Sequence, residues 1–62
     1  MQLLRLPDVL ARTALSRSAI YDHMNAGTFP KPVKIGGRLN AWPADEINDW
    51  IAARIADREA AA

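Results

Sequence analysis

The 62-residue chain is predicted to adopt a mainly α fold with a small β-hairpin, three helices carrying a two-stranded wing. Three observations carry that expectation. Apolar residues recur at helical spacing at Val9 and Leu10, at Ile20 and Met24, and at Ile47, Trp50, Ile51 and Ile55. Between the second and third groups Val33-Lys34-Ile35 alternates, Gly36-Gly37 interrupts, and Arg38-Leu39-Asn40-Ala41-Trp42 resumes in extended form. The 4 prolines and 3 glycines fall at the joints or in a first helical turn, where they punctuate rather than break the elements.

Leu3 to Leu6 alternates weakly and suits a short extended opening, followed by a helix with Pro7 in its first turn and Asp8 where the helix dipole favours a carboxylate. Thr13-Ala14-Leu15-Ser16 ends that helix after about two turns. Ser16 is an N-cap for the second helix, Ser16 to Asn25, because its hydroxyl can accept an unpaired first-turn N–H. Ile20 and Met24 face the first helix, leaving Arg17, Ser18, Tyr21, Asp22 and Asn25 on or beside the opposite face. Gly27 closes the helix, since it enters the left-handed conformation without Cβ strain. Phe29 is expected to turn back to the core, and Pro30 and Pro32 hold the following segment extended. A lone hairpin is marginal, so Val33, Ile35, Leu39 or Trp42 must pack on the helices. Pro43 opens the last helix, whose acidic first turn (Asp45, Glu46) and later Arg54 and Arg58 match the dipole. Its tail has little to bury, and residues 55–62 are expected to fray.

A chain of this length holds one domain, 1–62, with a modest core and no room for an enclosed catalytic cleft. With no cysteine, neither disulfides nor thiolate metal sites supplement that core. Arg5, Pro7 and Asp8 interrupt the apolar start before a signal peptide or membrane span can form, so the chain reads as a cytoplasmic, nucleoid-associated protein with no membrane partner. The net charge of +1 hides a division. Residues 1–43 carry Arg5, Arg12, Arg17, Lys31, Lys34 and Arg38 against Asp8 and Asp22, a net +4, whereas the remainder carries a net −3. A basic front and an acidic back would orient the molecule on a polyanion; an ordinary mixed surface is the plainer alternative.

Helix, tight turn, a second helix with small and basic residues at its start, and a hairpin bearing Arg38 together describe a winged helix-turn-helix. Such a helix fills the major groove of double-stranded DNA, its first-turn side chains reach base edges, and its terminal N–H groups meet a phosphate. The wing would set Lys34 and Arg38 on the backbone or in the neighbouring minor groove.

In order along the chain stand Leu4-Arg5-Leu6-Pro7, Leu15-Ser16-Arg17-Ser18-Ala19-Ile20-Tyr21, Phe29-Pro30-Lys31-Pro32-Val33, Gly36-Gly37-Arg38, Ala41-Trp42 and Ile47-Asn48-Asp49-Trp50-Ile51. Each motif is weak alone, but their order and spacing are specific, and over nearly the whole chain the sequence resembles the AlpA family of prophage regulatory proteins. The resemblance implies a fold similar to MerR-type and phage excisionase domains, and a role on mobile elements. That role would be regulation of an integrase gene, or action as an excision factor. Two positions depart from the family: Ala14 stands where glycine is usual in the inter-helix turn, and Asp22 where a basic residue often follows the tyrosine. A left-handed Ala14 would cost roughly 1 kcal/mol. Asp22 would accept from a cytosine amino group, pair with a neighbouring arginine, or face solvent.

Arg17 is the leading base or phosphate contact, weighed against a solvated surface arginine. Ser18 contacts DNA or extends the Ser16 cap, and Tyr21 is a phosphate-contacting phenol or a half-buried core aromatic. Lys31, Lys34, Gly37 and Arg38 are the wing candidates, with ordinary hairpin charges as the alternative. His23, the single histidine, reads as a helix-surface residue, and Trp42 and Trp50 as core. No catalytic set is recognisable, so neither enzymatic activity nor a metal or other cofactor is expected. A module of this size covers about 600–1,000 Å² of DNA contact, so several copies are expected to assemble cooperatively on DNA from a free monomer. The rival class is a protein-interaction adaptor gripping an integrase, a recombinase or another DNA-bound partner.

Overall fold

Hydrogen bonding in the computed structural model, which describes residues 2–61, defines β1 (Leu3–Leu4), α1 (Leu6–Thr13), α2 (Arg17–Ala26), β2 (Val33–Ile35), β3 (Leu39–Pro43) and α3 (Ala44–Ala61). The fold is mainly α with a β-hairpin wing, the arrangement of a winged helix-turn-helix. The wing is larger than the sequence suggests, because the opening segment joins it: the sheet is antiparallel with strand order β1-β3-β2. Leu3 pairs with Pro43 and Leu4 with Trp42, and the Ala44 N–H donates to the Gln2 carbonyl at 2.8 Å. A third strand supplies pairing partners that a lone hairpin lacks.

Local signals place most boundaries. Pro7 lies in the first turn of α1, where its missing N–H removes no helical bond. Ser16 caps α2, its hydroxyl accepting the Ala19 N–H at 3.2 Å. Gly27 ends α2 at φ 76°, and its N–H bonds back to carbonyls of the last turn. Pro43 closes β3 instead of opening α3, because it is paired with Leu3. Arg38 lies in the hairpin turn instead of the second strand, since the register Ile35–Leu39 leaves Gly36, Gly37 and Arg38 between. Gly36 and Gly37 take φ of 61° and 81°, values a side chain would resist.

The core gathers Leu4, Val9, Ile20, Phe29, Trp42, Ala44 and Ile47, with Leu6, Leu10, Leu15, Met24, Trp50 and Ile51 packed around it. Of the four wing residues expected to anchor the hairpin, Trp42 alone is buried. Val33, Ile35 and Leu39 share the outer sheet face with Leu3 and are exposed, because pairing in register puts directly opposed residues on one side. The apolar stripe of α3 is likewise used only in part: Ile47 is buried, while Ile55 lies past the end of the body and is 46% exposed. From Ile55 to Ala60 every residue is exposed, and we propose that these turns open first. The part of that expectation at Ala62, like the start of the chain at Met1, lies outside the described residues.

Ala14 sits in the turn between α1 and α2 at φ 59°, ψ 18°, the left-handed region. Its N–H caps α1 on the Leu10 carbonyl at 2.9 Å, so the strained geometry is used. Replacing Ala14 with glycine should stabilise the fold by about 0.5–1 kcal/mol, the Cβ strain relieved less the entropy glycine adds to the unfolded chain. Thermal unfolding should show a midpoint about 4 °C higher.

Candidate nucleic-acid interface

All nine residues singled out from the sequence are on the surface: Ser16, Arg17, Ser18, Tyr21 and Asp22 along α2, and Lys31, Lys34, Gly37 and Arg38 along the wing and the loop leading to it. Burying Ile20 and half-burying Met24 fixes the rotation of α2. Ser18 and Asp22, four residues apart, then fall opposite the buried stripe, and Arg17 and Tyr21, also four apart, line its flank. Tyr21 is 37% exposed, partly covered by the body and partly open to solvent.

The start of α2 is prepared for an anion. Ser16 satisfies the Ala19 N–H and its carbonyl accepts the Ile20 N–H at 3.0 Å, while the first-turn N–H groups of Arg17 and Ser18 have no acceptor within the helix. Those groups and the positive dipole end favour phosphate. Among the described residues, none of Arg17, Lys31, Lys34 and Arg38 is engaged in an ion pair, the one salt bridge being Arg54–Asp57 at 2.9 Å. Asp22 is exposed and, among the described residues, makes no ion pair.

The wing projects Lys34 from β2 in register with Asn40, on the sheet face that carries Trp42 further along. Arg38 extends from the turn beyond both strands. The helical and wing groups are thus carried by separate elements, linked through the loop after α2. That loop is pinned twice: the Trp42 indole N–H donates to the Pro30 carbonyl at 3.0 Å, and the Trp50 indole N–H to the Thr28 carbonyl at 2.6 Å.

Sequence reasoning missed the surroundings of Trp50. His23, read as a surface histidine, is half-buried, meets Trp50 edge-on at 5.7 Å, and bonds Thr28 Oγ1 through Nδ1 at 2.9 Å. The Thr28 hydroxyl also lies 3.2 Å from the His23 carbonyl, and the imidazole tautomer decides to which of the two it donates. Phe29 packs against the same indole at 4.9 Å, and the Arg54 guanidinium stands 5.1 Å from its ring centre. The Trp50–Arg54 spacing was the only trace of this cluster in the sequence; its other members meet through the fold. Among the described residues no helix is long and apolar enough to cross a membrane, and no group of His, Cys, Asp and Glu is placed to hold a metal ion.

Comparison with known proteins gives two kinds of match. A family model described as Prophage CP4-57 regulatory protein (AlpA) matches residues 2–55. An uncharacterized protein, ORF88, of Enterobacteria phage P4 is 45% identical over 56 residues, covering 90% of this chain and 64% of that protein. The DNA-binding transcriptional activator AlpA of Escherichia coli (strain K12) is 35% identical over 60 residues, covering 87% of this chain and 86% of that protein. The chain therefore spans a little under two thirds of the length of the phage P4 relative.

The cap at the start of α2 is open to a direct check. Ser16→Ala should lower stability by about 1 kcal/mol, read as a shift in urea midpoint at unchanged slope, and Ser16→Asn should retain most of it.

Proposed function

The chain belongs to the AlpA family of prophage regulatory proteins, and on that premise we propose that it binds double-stranded DNA sequence-specifically as a regulator of a prophage or integrated element. The observation that carries this reading is the capped, exposed start of α2, with Arg17 and Ser18 beside unpaired N–H groups, on a chain whose wing cations have no ion-pair partner among the described residues. The Escherichia coli relative is a DNA-binding transcriptional activator, which points the same way.

In the mechanism, α2 enters the major groove. Ser16, Arg17 and the first-turn N–H groups hold a phosphate, and Arg17, Ser18 and Asp22 reach base edges, with Tyr21 on the adjoining backbone. A carboxylate at Asp22 selects for a cytosine amino group and against a phosphate. Lys31, Lys34 and Arg38 anchor the wing to the backbone and neighbouring minor groove, with Gly37 letting the turn approach closely. The chain acts by occupancy, without catalysis or cofactor. It regulates the integrase gene or serves as an excision factor, with the recombinase as a protein partner in the second case, and copies assemble cooperatively on adjacent sites. Its place of action is the cytoplasm, on the nucleoid.

Binding to fragments that tile the integrase promoter and the attachment sites tests this by fluorescence anisotropy. On the tightest fragment, Arg17→Ala and Arg38→Ala should each weaken binding about tenfold, within the range for a lost base or groove contact, with unchanged circular dichroism. A phosphate-only contact would instead lower the salt slope by about 1. Wild-type affinity in both variants would contradict the docking.

A further inference from the structure

We infer that the outer face of the sheet is a contact surface for a second copy of this chain, the two copies meeting face to face about a twofold axis. Where the contact is used rests on the DNA-binding reading; that it forms does not. Leu3, Val33, Ile35 and Leu39 lie on that face, each 38–46% exposed. Alternation places Ala41 and Pro43 on the same side of β3. Ala41 is fully buried although it is no part of the core, so the aliphatic side chains around it close over it as one continuous patch.

An antiparallel sheet with one face in the core commonly turns polar side chains to water on the other. Within these strands the outer face carries no polar or charged side chain; Lys34 alternates to the opposite face, with Asn40 and Trp42. Four side chains open to this degree leave on the order of 300 Å² of aliphatic surface, the size at which a patch on a monomer is often functional. DNA is not its occupant, because a face without charged or hydrogen-bonding side chains gains nothing from phosphate.

Chemistry and area both select a second copy. Among the described residues these four gather on one face, whereas the other exposed large apolar side chains, Tyr21 of α2 and Ile55 of α3, stand singly. The surface of this chain that matches the patch is therefore the patch itself, which makes the contact isologous. Two such faces bury on the order of 600 Å² together, about half of the roughly 1,200 Å² at which stable interfaces begin. That is too little to hold a free dimer in dilute solution. It suffices for a copy already held on the neighbouring stretch of DNA, where tethering supplies an effective concentration near millimolar. With Lys34 turned to the duplex, the outer face points away from it and stays open to the neighbour. Copies so joined lie on DNA in opposite orientations, wing to wing.

The test uses the methyl-labelled full chain, free of DNA, from micromolar to millimolar concentration. The methyl resonances of Leu3, Val33, Ile35 and Leu39 should shift with concentration along one saturable curve, undiminished as salt rises, while that of Ile55 stays fixed. In a mixture of labelled and unlabelled chain, isotope-filtered contacts should run from this face to this face. Val33→Thr/Ile35→Thr, which keeps β-branched residues in the strand, should weaken the association by about tenfold or more with unchanged circular dichroism. On DNA holding two adjacent sites the same variant should bind about fivefold or more weaker than wild type, and on a single site within about twofold. The absence of concentration-dependent shifts would overturn the proposal, as would filtered contacts to Ile55, Tyr21 or any other surface. So would association that the variant leaves intact, or equal losses on one site and two. If the variant lost its circular dichroism, the filtered contacts of the wild-type chain would decide alone. A wild-type chain that associates through this face but binds no DNA would count against the preceding reading and leave the contact standing.

Discussion

The buried indole of Trp42 joins the parts of this molecule. Its ring lies in the core beside Leu4, Val9, Ile20 and Ile47, and its N–H reaches the Pro30 carbonyl at 3.0 Å. In the loop from Thr28 to Pro32 two prolines remove donors and hold the chain extended, so carbonyls outnumber N–H groups there. Two indoles meet that need from outside, Trp42 from β3 and Trp50 from α3. The wing and α3 are thereby fastened to the one short loop that follows α2. Truncating a buried tryptophan costs about 3–5 kcal/mol. A chain this small has a total stability of the same order, so its geometry hangs on these few rings.

With the loop fixed, the division of charge acquires a spatial meaning. The cations Arg17, Lys31, Lys34 and Arg38 stand on α2 and the wing, and the acidic residues Asp45, Glu46 and Asp49 begin α3. A polyanion approaching the start of α2 meets a helix dipole and unpaired first-turn N–H groups, whereas the far end of α2 meets a carbonyl terminus and two carboxylates.

Much of this was legible from residues with local physical preferences. Ser16, Gly27 and Gly36-Gly37 announce a cap, a stop and a turn through their own backbone or side-chain chemistry, and each does so in the structure. The exposed face of α2 was legible for the same reason, since burying Ile20 leaves Arg17, Ser18, Tyr21 and Asp22 outside. What depends on distant pairing was not. A two-residue strand has no periodicity, so the β1–β3 ladder and the place of Pro43 at its end left no signal. The apolar stripe of α3 continues to Ile55 in sequence, but the body it packs against ends sooner. The cluster around Trp50 needed His23 of α2 and Phe29 of the loop brought against α3, which no spacing reveals.

The central claim is that α2 and the wing act as one DNA-binding surface. Hydroxyl-radical footprinting over the integrase promoter and attachment sites, at two salt concentrations, tests it most directly. The account predicts protected backbone on both sides of a major groove, continuous with protection of the adjacent minor groove, both weakening together as salt rises. Protection confined to a minor groove, or none from the folded protein at low salt, would contradict it.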